Sequence, residues 1–209
     1  MVINFLNRLL RDRYGIAAVE FALSLPILMG LTLYSMEAAN MAYTSQKLGN
    51  IATQTADSVS RIRLSISNGD VTDALGGMKI LGDGIDLRNR GRIIVSSVQP
   101  VTDSSGNVTN QKVRWQRCTG ALVKDSSYVV NTNLGTDGIG ATGRKIAASK
   151  DSELIFVEIY YTYKPLVSSA FLGTPQMAAV AAMSVRERSA NDINASGINS
   201  PCGTGTYAA

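Results

Sequence analysis

The stretch from Ile16 to Met36 reads IAAVEFALSLPILMGLTLYSM, and its only charged side chain is that of Glu20. About 20 consecutive apolar residues form a helix that crosses the hydrocarbon core of a bilayer, and this run has about 21. A core helix of a soluble protein normally keeps one polar face. This run has almost none, so it predicts a membrane-spanning helix.

The charges on either side of this helix predict its orientation. Arg8, Arg11 and Arg13 precede it against one acid, Asp12, whereas Glu37 and no nearby base follows it. Basic flanks stay on the cytoplasmic side of a membrane, so we expect the amino terminus inside and the remaining chain outside. A cleaved secretory signal is the competing interpretation. Its apolar region would, however, exceed the usual length of about 7 to 15 residues.

Glu20 is the residue of the span that needs a physical explanation. A carboxylate at the centre of a membrane helix costs about 2.5 to 3.5 kcal/mol, and Glu20 lies only about one turn inside. One interpretation is that its depth is shallow, so that water reaches it or it is protonated. The other is that it pairs with a positive group at the same depth on a neighbouring chain.

The composition disfavours catalysis and nucleic-acid binding. The chain has no histidine, which removes the commonest general base and metal ligand. An anchored serine hydrolase with a lysine base would need an SxxK motif, which is missing. The net charge is +4, but basic residues are scattered among acids rather than gathered in a stripe. We therefore expect no enzyme, no cofactor, no small-molecule substrate and no nucleic-acid partner.

Two cysteines, Cys118 and Cys202, lie far apart and well beyond the apolar run. A zinc site would need two further ligands, which only carboxylates could supply here. In an oxidising compartment a disulfide that ties the tail to the body is favoured over two free thiols. Closing so long a loop would stabilise the fold by about 4 kcal/mol.

The chain after the span remains compatible with a helix to about residue 62. Leu48, Ile51, Val59 and Ile62 form a sparse apolar stripe among polar and small residues. Such a stripe is typical of a helix that buries one face. We expect this face to be core of the exported domain rather than a partner surface.

A hairpin is predicted from Arg92–Val101 and Val108–Cys118, which read as strands joined by a turn from Asp103 to Asn107. The turn nearly spells the DxSxS of a metal-dependent adhesion site. Because Asn107 replaces the last serine and a strand follows where a helix should, a plain hairpin turn is favoured.

Further elements complete an α+β domain. Leu154–Tyr163 is the strongest strand, and its alternation predicts a central position with Tyr160, Tyr161 and Tyr163 in packing roles. The remaining expectations are a helix near Val71–Leu81 broken by Gly76–Gly77, a brief strand at Ser127–Thr132, a glycine-rich loop at Asn133–Gly143, an apolar connection at Lys164–Gly173 near the membrane surface or a partner, and a last strand at Met177–Arg188.

Residues Gly15 to Phe21 carry a resemblance to a known processing site. Glycine followed by IAAVEF is similar to a prepilin cleavage motif, and RDRYGIAAVEFALSLPILMGLTLYSMEAANMAYTSQKLGNIATQTADSVSR resembles the TadE-like proteins of tight-adherence (Flp) pilus systems. The resemblance implies a pilin-like fold and a prepilin peptidase that cuts between Gly15 and Ile16. It also implies that Glu20, beside Phe21, sets subunit register by pairing with the new amine of an adjacent subunit.

The resemblance also implies an organisation and a role. Residues 1–15 would be a cytoplasmic leader, 16–37 a transmembrane helix, 38–62 an extramembrane helix and 63–209 a periplasmic α+β domain. The chain would be a minor pseudopilin of the bacterial inner membrane that contacts other pilins and the pilus platform and assists assembly, with incorporation in an extracellular pilus left open. The alternative is an anchored periplasmic scaffold or binding protein that is never processed.

Overall fold

The computed structural model describes residues 15–63, 65–186, 192–194, 196 and 202, so the predicted basic leader lies outside the described residues. Its fold is α+β, as the sequence predicts. The elements are α1 (Ile16–Ser60), α2 (Asn68–Leu81), a 3-10 helix (Asp83–Ile85), α3 (Leu87–Arg90), β1 (Gly91–Thr102), β2 (Val108–Thr119), β3 (Leu154–Thr162), α4 (Ser169–Leu172) and β4 (Gln176–Ser184).

The described residues divide into two compact units. The first combines the beginning of α1, up to Asn40, with the segment Pro165–Gly173 that links β3 to β4; we name this segment the strap. The second comprises Met41–Lys164 and the described chain from Thr174 onward. Helix α1 is continuous over 45 residues and contributes to both units.

A four-stranded antiparallel sheet in the order β2-β1-β3-β4 forms the centre of the second unit. The central position of β3 agrees with its two largely apolar faces. Ile155, Val157, Ile159 and Tyr161 point to one side of the sheet and Phe156 to the other, as the alternation predicts.

The main core lies between one face of this sheet and the later turns of α1. Leu48, Ile51 and Val59 are buried there against sheet residues such as Val95 and Val157, and Ile62 packs against them with part of its side chain exposed. The predicted apolar stripe is thus confirmed as domain core. Its spacing suffices because residues three and eight positions apart share one face of a helix.

A smaller core on the opposite face of the sheet includes Val113 and Phe156, and Tyr128 packs against it. The brief strand predicted at Ser127–Thr132 is wrong, because these residues form bends and turns. Asn131 has φ 67°, a left-handed conformation incompatible with an extended strand. Its N–H nevertheless donates to the carbonyl of Val113 at 2.7 Å, so the segment covers part of the β2 edge without extending the sheet.

Helix α2 shows why two glycines need not end a helix. The predicted break at Gly76–Gly77 is wrong, since α2 runs unbroken through both. The helix begins with a capping box, in which Ser67 and Asp70 satisfy each other's backbone N–H groups, and it buries an apolar face that includes Leu75. These contributions offset the roughly 1 kcal/mol that each interior glycine costs.

The last strand is shorter than predicted. β4 ends at Ser184 rather than Arg188. The next residue, Val185, still donates its N–H to the carbonyl of Glu153 at 2.8 Å. Residues 187–191 lie outside the described residues.

Candidate membrane anchor and assembly site

Gly15 and Ile16 mark the start of α1. The carbonyl of Gly15 accepts a hydrogen bond from the N–H of Val19 at 3.1 Å, which closes the first helical turn. A Cβ built on Gly15 would meet no atom of the described residues within 4 Å, and the φ of Gly15 lies outside the left-handed region. Neither packing nor backbone conformation in the structure therefore requires glycine at this position.

Glu20 and Phe21 follow one turn later and are both exposed. Glu20 lies four residues after Ile16, so the two side chains share a helix face. Within the described part of the chain, no hydrogen bond or ion pair satisfies the Glu20 carboxylate. Phe21 presents 62% of its surface. The structure thus places the predicted recognition residues together at the start of an apolar helix.

Three hydroxyl groups of the span differ from the Glu20 carboxylate because they have local partners. Ser24 donates to the carbonyl of Phe21 at 2.9 Å, Ser35 donates to that of Leu31 at 2.7 Å, and Thr32 donates to the carbonyl of Leu28. Such bonds to the preceding turn satisfy a hydroxyl without water. The Glu20 carboxylate has no such bond to any of the described residues.

The surface of α1 from Ile16 to Met36 is apolar on all sides and exposed. Its most apolar 18-residue window has a mean hydropathy of 2.0 and is 0% buried. This is the one helix, among the described residues, that is long and apolar enough to cross a membrane. Pro26 lies inside it without ending it. The carbonyl four residues earlier lacks its helical donor there, which membrane helices tolerate.

The other end of this surface holds a contact that the sequence did not reveal. Glu37 is fully buried, and its carboxylate accepts the N–H groups of Leu166 at 3.1 Å and Val167 at 2.8 Å. Tyr34, one turn earlier, contacts Phe171 edge to face with ring centroids 6.4 Å apart. The strap is therefore fastened to the last apolar turn of the helix. An acid directly after an apolar run was the only available signal.

A disulfide between Cys118 and Cys202 attaches the tail to β2, with the two Cα atoms 5.1 Å apart. A second attachment lies at the start of α2. There the N–H of Asn194 donates to the carbonyl of Ile66 at 3.0 Å, and the N–H of Asn68 donates to the carbonyl of Asn194 at 3.2 Å. The described parts of the tail thus contact both β2 and the start of α2.

The turn between β1 and β2 is a hairpin turn closed by Asp103. Its Oδ1 accepts the N–H groups of Ser105 at 2.9 Å and Asn107 at 2.8 Å. These bonds, led by the one from the Asn107 backbone, hold the pKa of Asp103 below its ordinary value. The carboxylate is engaged in the turn, which agrees with the hairpin interpretation over an adhesion site.

Glu158 is a buried carboxylate on β3 whose hydrogen-bond donors all come from the domain itself. It accepts hydrogen bonds from the hydroxyl of Ser126, from the N–H of Ser127 at 3.3 Å and from the hydroxyl of Tyr160 at 2.9 Å. Burial, more than the nearby acid, raises the pKa of Tyr160. Lys124 lies over its ring, 5.4 Å from the centroid. Tyr160 thus packs within the domain.

Comparison with known proteins gives a result for the helix. Residues 15–57 match the family described as TadE-like protein. This confirms the predicted resemblance over a segment that begins at Gly15 and covers most of α1. Neither the curated proteins nor the solved structures gave a match.

Proposed function

We propose that this chain is a minor pseudopilin of a tight-adherence (Flp or type IV-like) pilus or a related secretion system. It is anchored in the bacterial inner membrane by α1, with its leader in the cytoplasm and its disulfide-bonded domain in the periplasm. The observation that carries the proposal is an apolar helix surface, exposed all round, whose one acid lies a turn from its start and has no partner among the described residues. The match to TadE-like proteins over residues 15–57 supports it.

Processing by a prepilin peptidase between Gly15 and Ile16 is the first step of the proposed function. A glycine without structural necessity, placed in an exposed turn before a helix, is suited to entering a protease cleft, because it has no side chain to obstruct an extended backbone. Cleavage would leave the whole apolar surface of α1 in the membrane and create a charged amine at Ile16.

Assembly with related subunits is the second step, and Glu20 is its specificity element. An exposed carboxylate within lipid is costly, and a positive amine at the same depth on a neighbouring subunit would compensate it. A buried ion pair contributes less to stability than to a unique register, because both charges lose their hydration. Phe21 would pack beside this pair between neighbouring helices.

Mass spectrometry of the membrane-extracted protein tests the processing step. We expect a mature amino terminus at Ile16 in cells that contain the pilus system. Gly15→Val should abolish cleavage, because its branched side chain obstructs the cleft. Gly30→Val is the matched control and should be cleaved normally, because Gly30 is another glycine at which a Cβ would meet no described atom within 4 Å. Retention of residues 1–15 in the functional wild-type protein would favour the unprocessed scaffold instead.

Replacement of Glu20 by alanine tests the assembly step. We expect normal cleavage and membrane insertion, but fewer pili and weaker copurification of the other pilus subunits. Unchanged piliation together with unchanged copurification would rule out the proposed role of this carboxylate.

A further inference from the structure

We propose that the strap is a second membrane contact, which inserts its exposed apolar side chains into the lipid interface beside the point where α1 leaves the bilayer. The inference rests on the membrane anchor of the proposed function, but not on processing or pilus assembly. Its partner is the lipid of the membrane that α1 crosses.

The position of the strap along α1 is the first argument. Tyr34 and Glu37 belong to the turn that ends the apolar run, and both contact the strap. From Ile16 to Met36 a helix rises about 30 Å, which equals the thickness of the hydrocarbon core. The strap is therefore fastened at the level where hydrocarbon gives way to headgroups, and a tyrosine at this level is typical of membrane interfaces.

The exposed side chains of the strap are the second argument. Leu166 is 57% exposed and Val167 is 38% exposed, next to a helix surface that is itself apolar and exposed. The strap contains no charged residue, since it reads PLVSSAFLG. The apolar surface of the strap thus continues that of the span. A lipid environment that accommodates the span would also accommodate the strap.

The main-chain hydrogen bonds of the strap are the third argument. The carboxylate of Glu37 accepts hydrogen bonds from the N–H groups of Leu166 and Val167. The hydroxyl oxygen of Ser168 accepts a hydrogen bond from the N–H of Ala170 at 3.1 Å. The N–H of Gly173 donates to the carbonyl of Ser169 at 2.9 Å. An unpaired N–H in a poorly hydrated environment costs several kcal/mol. These bonds therefore lower the free-energy cost of transferring the strap from water to the lipid interface.

Glu37 acts in this arrangement as a positioning residue. Its carboxylate is fully buried and is satisfied by backbone groups of the strap. Charge-assisted bonds of this kind are about twice as strong as neutral ones. Glu37 would therefore hold the strap at a constant depth relative to the helix.

Tryptophan quenching by bromine-labelled lipid tests the proposal on the full-length protein. The chain has a single tryptophan, Trp115, which is 4% exposed in the domain core and supplies the blank. Three variants are compared: Leu166→Trp in the strap, Leu25→Trp in the span and Val123→Trp at a 70% exposed site of the other unit. Each is reconstituted at low protein density in phosphatidylcholine and phosphatidylglycerol vesicles whose chains are brominated both near the headgroup and near the bilayer midplane.

We expect the added emission of Leu166→Trp and of Leu25→Trp to be quenched, and that of Val123→Trp to remain. Quenching of Leu25→Trp without quenching of Leu166→Trp overturns the strap proposal alone. Absence of quenching at both sites overturns the membrane anchor as well. A blue-shifted but unquenched Leu166→Trp would mean burial against protein, and equal quenching of Val123→Trp would mean unspecific lipid contact; either result overturns the proposal.

A second pair of variants tests the role of Glu37. In the Leu166→Trp background, Glu37→Ala should reduce quenching to the level of Val123→Trp, because the strap loses its attachment to the helix. Asp73→Ala removes an exposed carboxylate from α2 without touching the strap and should leave the quenching unchanged. Equal quenching in both variants would show that Glu37 does not position the strap.

Discussion

The two parts of α1 differ in what surrounds them, although the helix is continuous. The earlier part is apolar on all sides and exposed, whereas the later part buries only the stripe that includes Leu48, Ile51 and Val59. Packing against a sheet rewards apolar residues on one face. Lipid favours apolar residues on every face of a helix and disfavours each charged side chain. One continuous helix thus has a first part suited to lipid and a second part suited to packing against a sheet. The pattern of side chains alone distinguishes the two parts.

The largest expected effect comes from the disulfide, which stabilises the domain that packs on the later part of α1 and does not involve the apolar part. Reduction of Cys118–Cys202, or replacement of both cysteines by alanine, should lower the free energy of unfolding of the domain by about 4 kcal/mol, because a long loop is released. Membrane insertion of α1 should not change. Denaturant unfolding followed by Trp115 fluorescence measures the first quantity, and flotation with vesicles measures the second.

A pair of leucine truncations should separate the two parts of α1. Leu48→Ala leaves a cavity in the core and should cost about 2 to 5 kcal/mol. Leu25→Ala, whose side chain is exposed, should change the free energy of unfolding in detergent by less than about 0.5 kcal/mol. Denaturant titration in detergent micelles compares them. Equal losses would mean that the span packs within the protein after all.

Removing the one charge of the span should change membrane insertion of α1 without changing the stability of the domain. Glu20→Leu should favour membrane insertion by less than the roughly 2.5 to 3.5 kcal/mol of a central acid, because Glu20 lies near one end. The inserted fraction of the full-length chain in a microsome assay measures this change. The free energy of unfolding of the domain should remain that of the wild type.

The smallest expected effect concerns acid and the β1–β2 turn. The pKa of Asp103 is held below its ordinary value by hydrogen bonds to its charged form. Such a group contributes stability above the unfolded-state pKa, and this contribution is lost as the pH falls through the lower folded-state pKa. Below about pH 4 the wild type should therefore lose stability, and Asp103→Asn should show a shallower decline. Parallel declines in denaturant midpoint would contradict this assignment.

Local patterns in the sequence predicted much of the fold. The long apolar helix, the stripe on α1, the β1–β2 hairpin and the central strand β3 all follow from composition, periodicity or turn chemistry, and the structure contains them. The two glycines of α2 misled the prediction, because a capping box and a buried face outweigh their cost. The strand expected at Ser127–Thr132 failed because its backbone is bent around Asn131 instead.

The candidate site divides in the same way. Gly15, Ile16, Glu20 and Phe21 are neighbours in sequence, so their common position at the start of a helix was predictable. Their roles in cleavage and register remain predictions. The contact of Glu37 with the strap was not predictable, because about 130 residues separate the partners and backbone N–H groups leave no mark on a sequence.

The sequence by itself determined the environment of the first helix, because a long apolar run with one acid is suited to lipid whatever follows it. It also determined which face of the later helix would be buried, since helical periodicity is a local property. Only the tertiary structure decided that the strap meets α1 at Glu37, and that the tail meets β2 and the start of α2. Such contacts depend on how distant segments approach one another, and no short-range pattern encodes that approach.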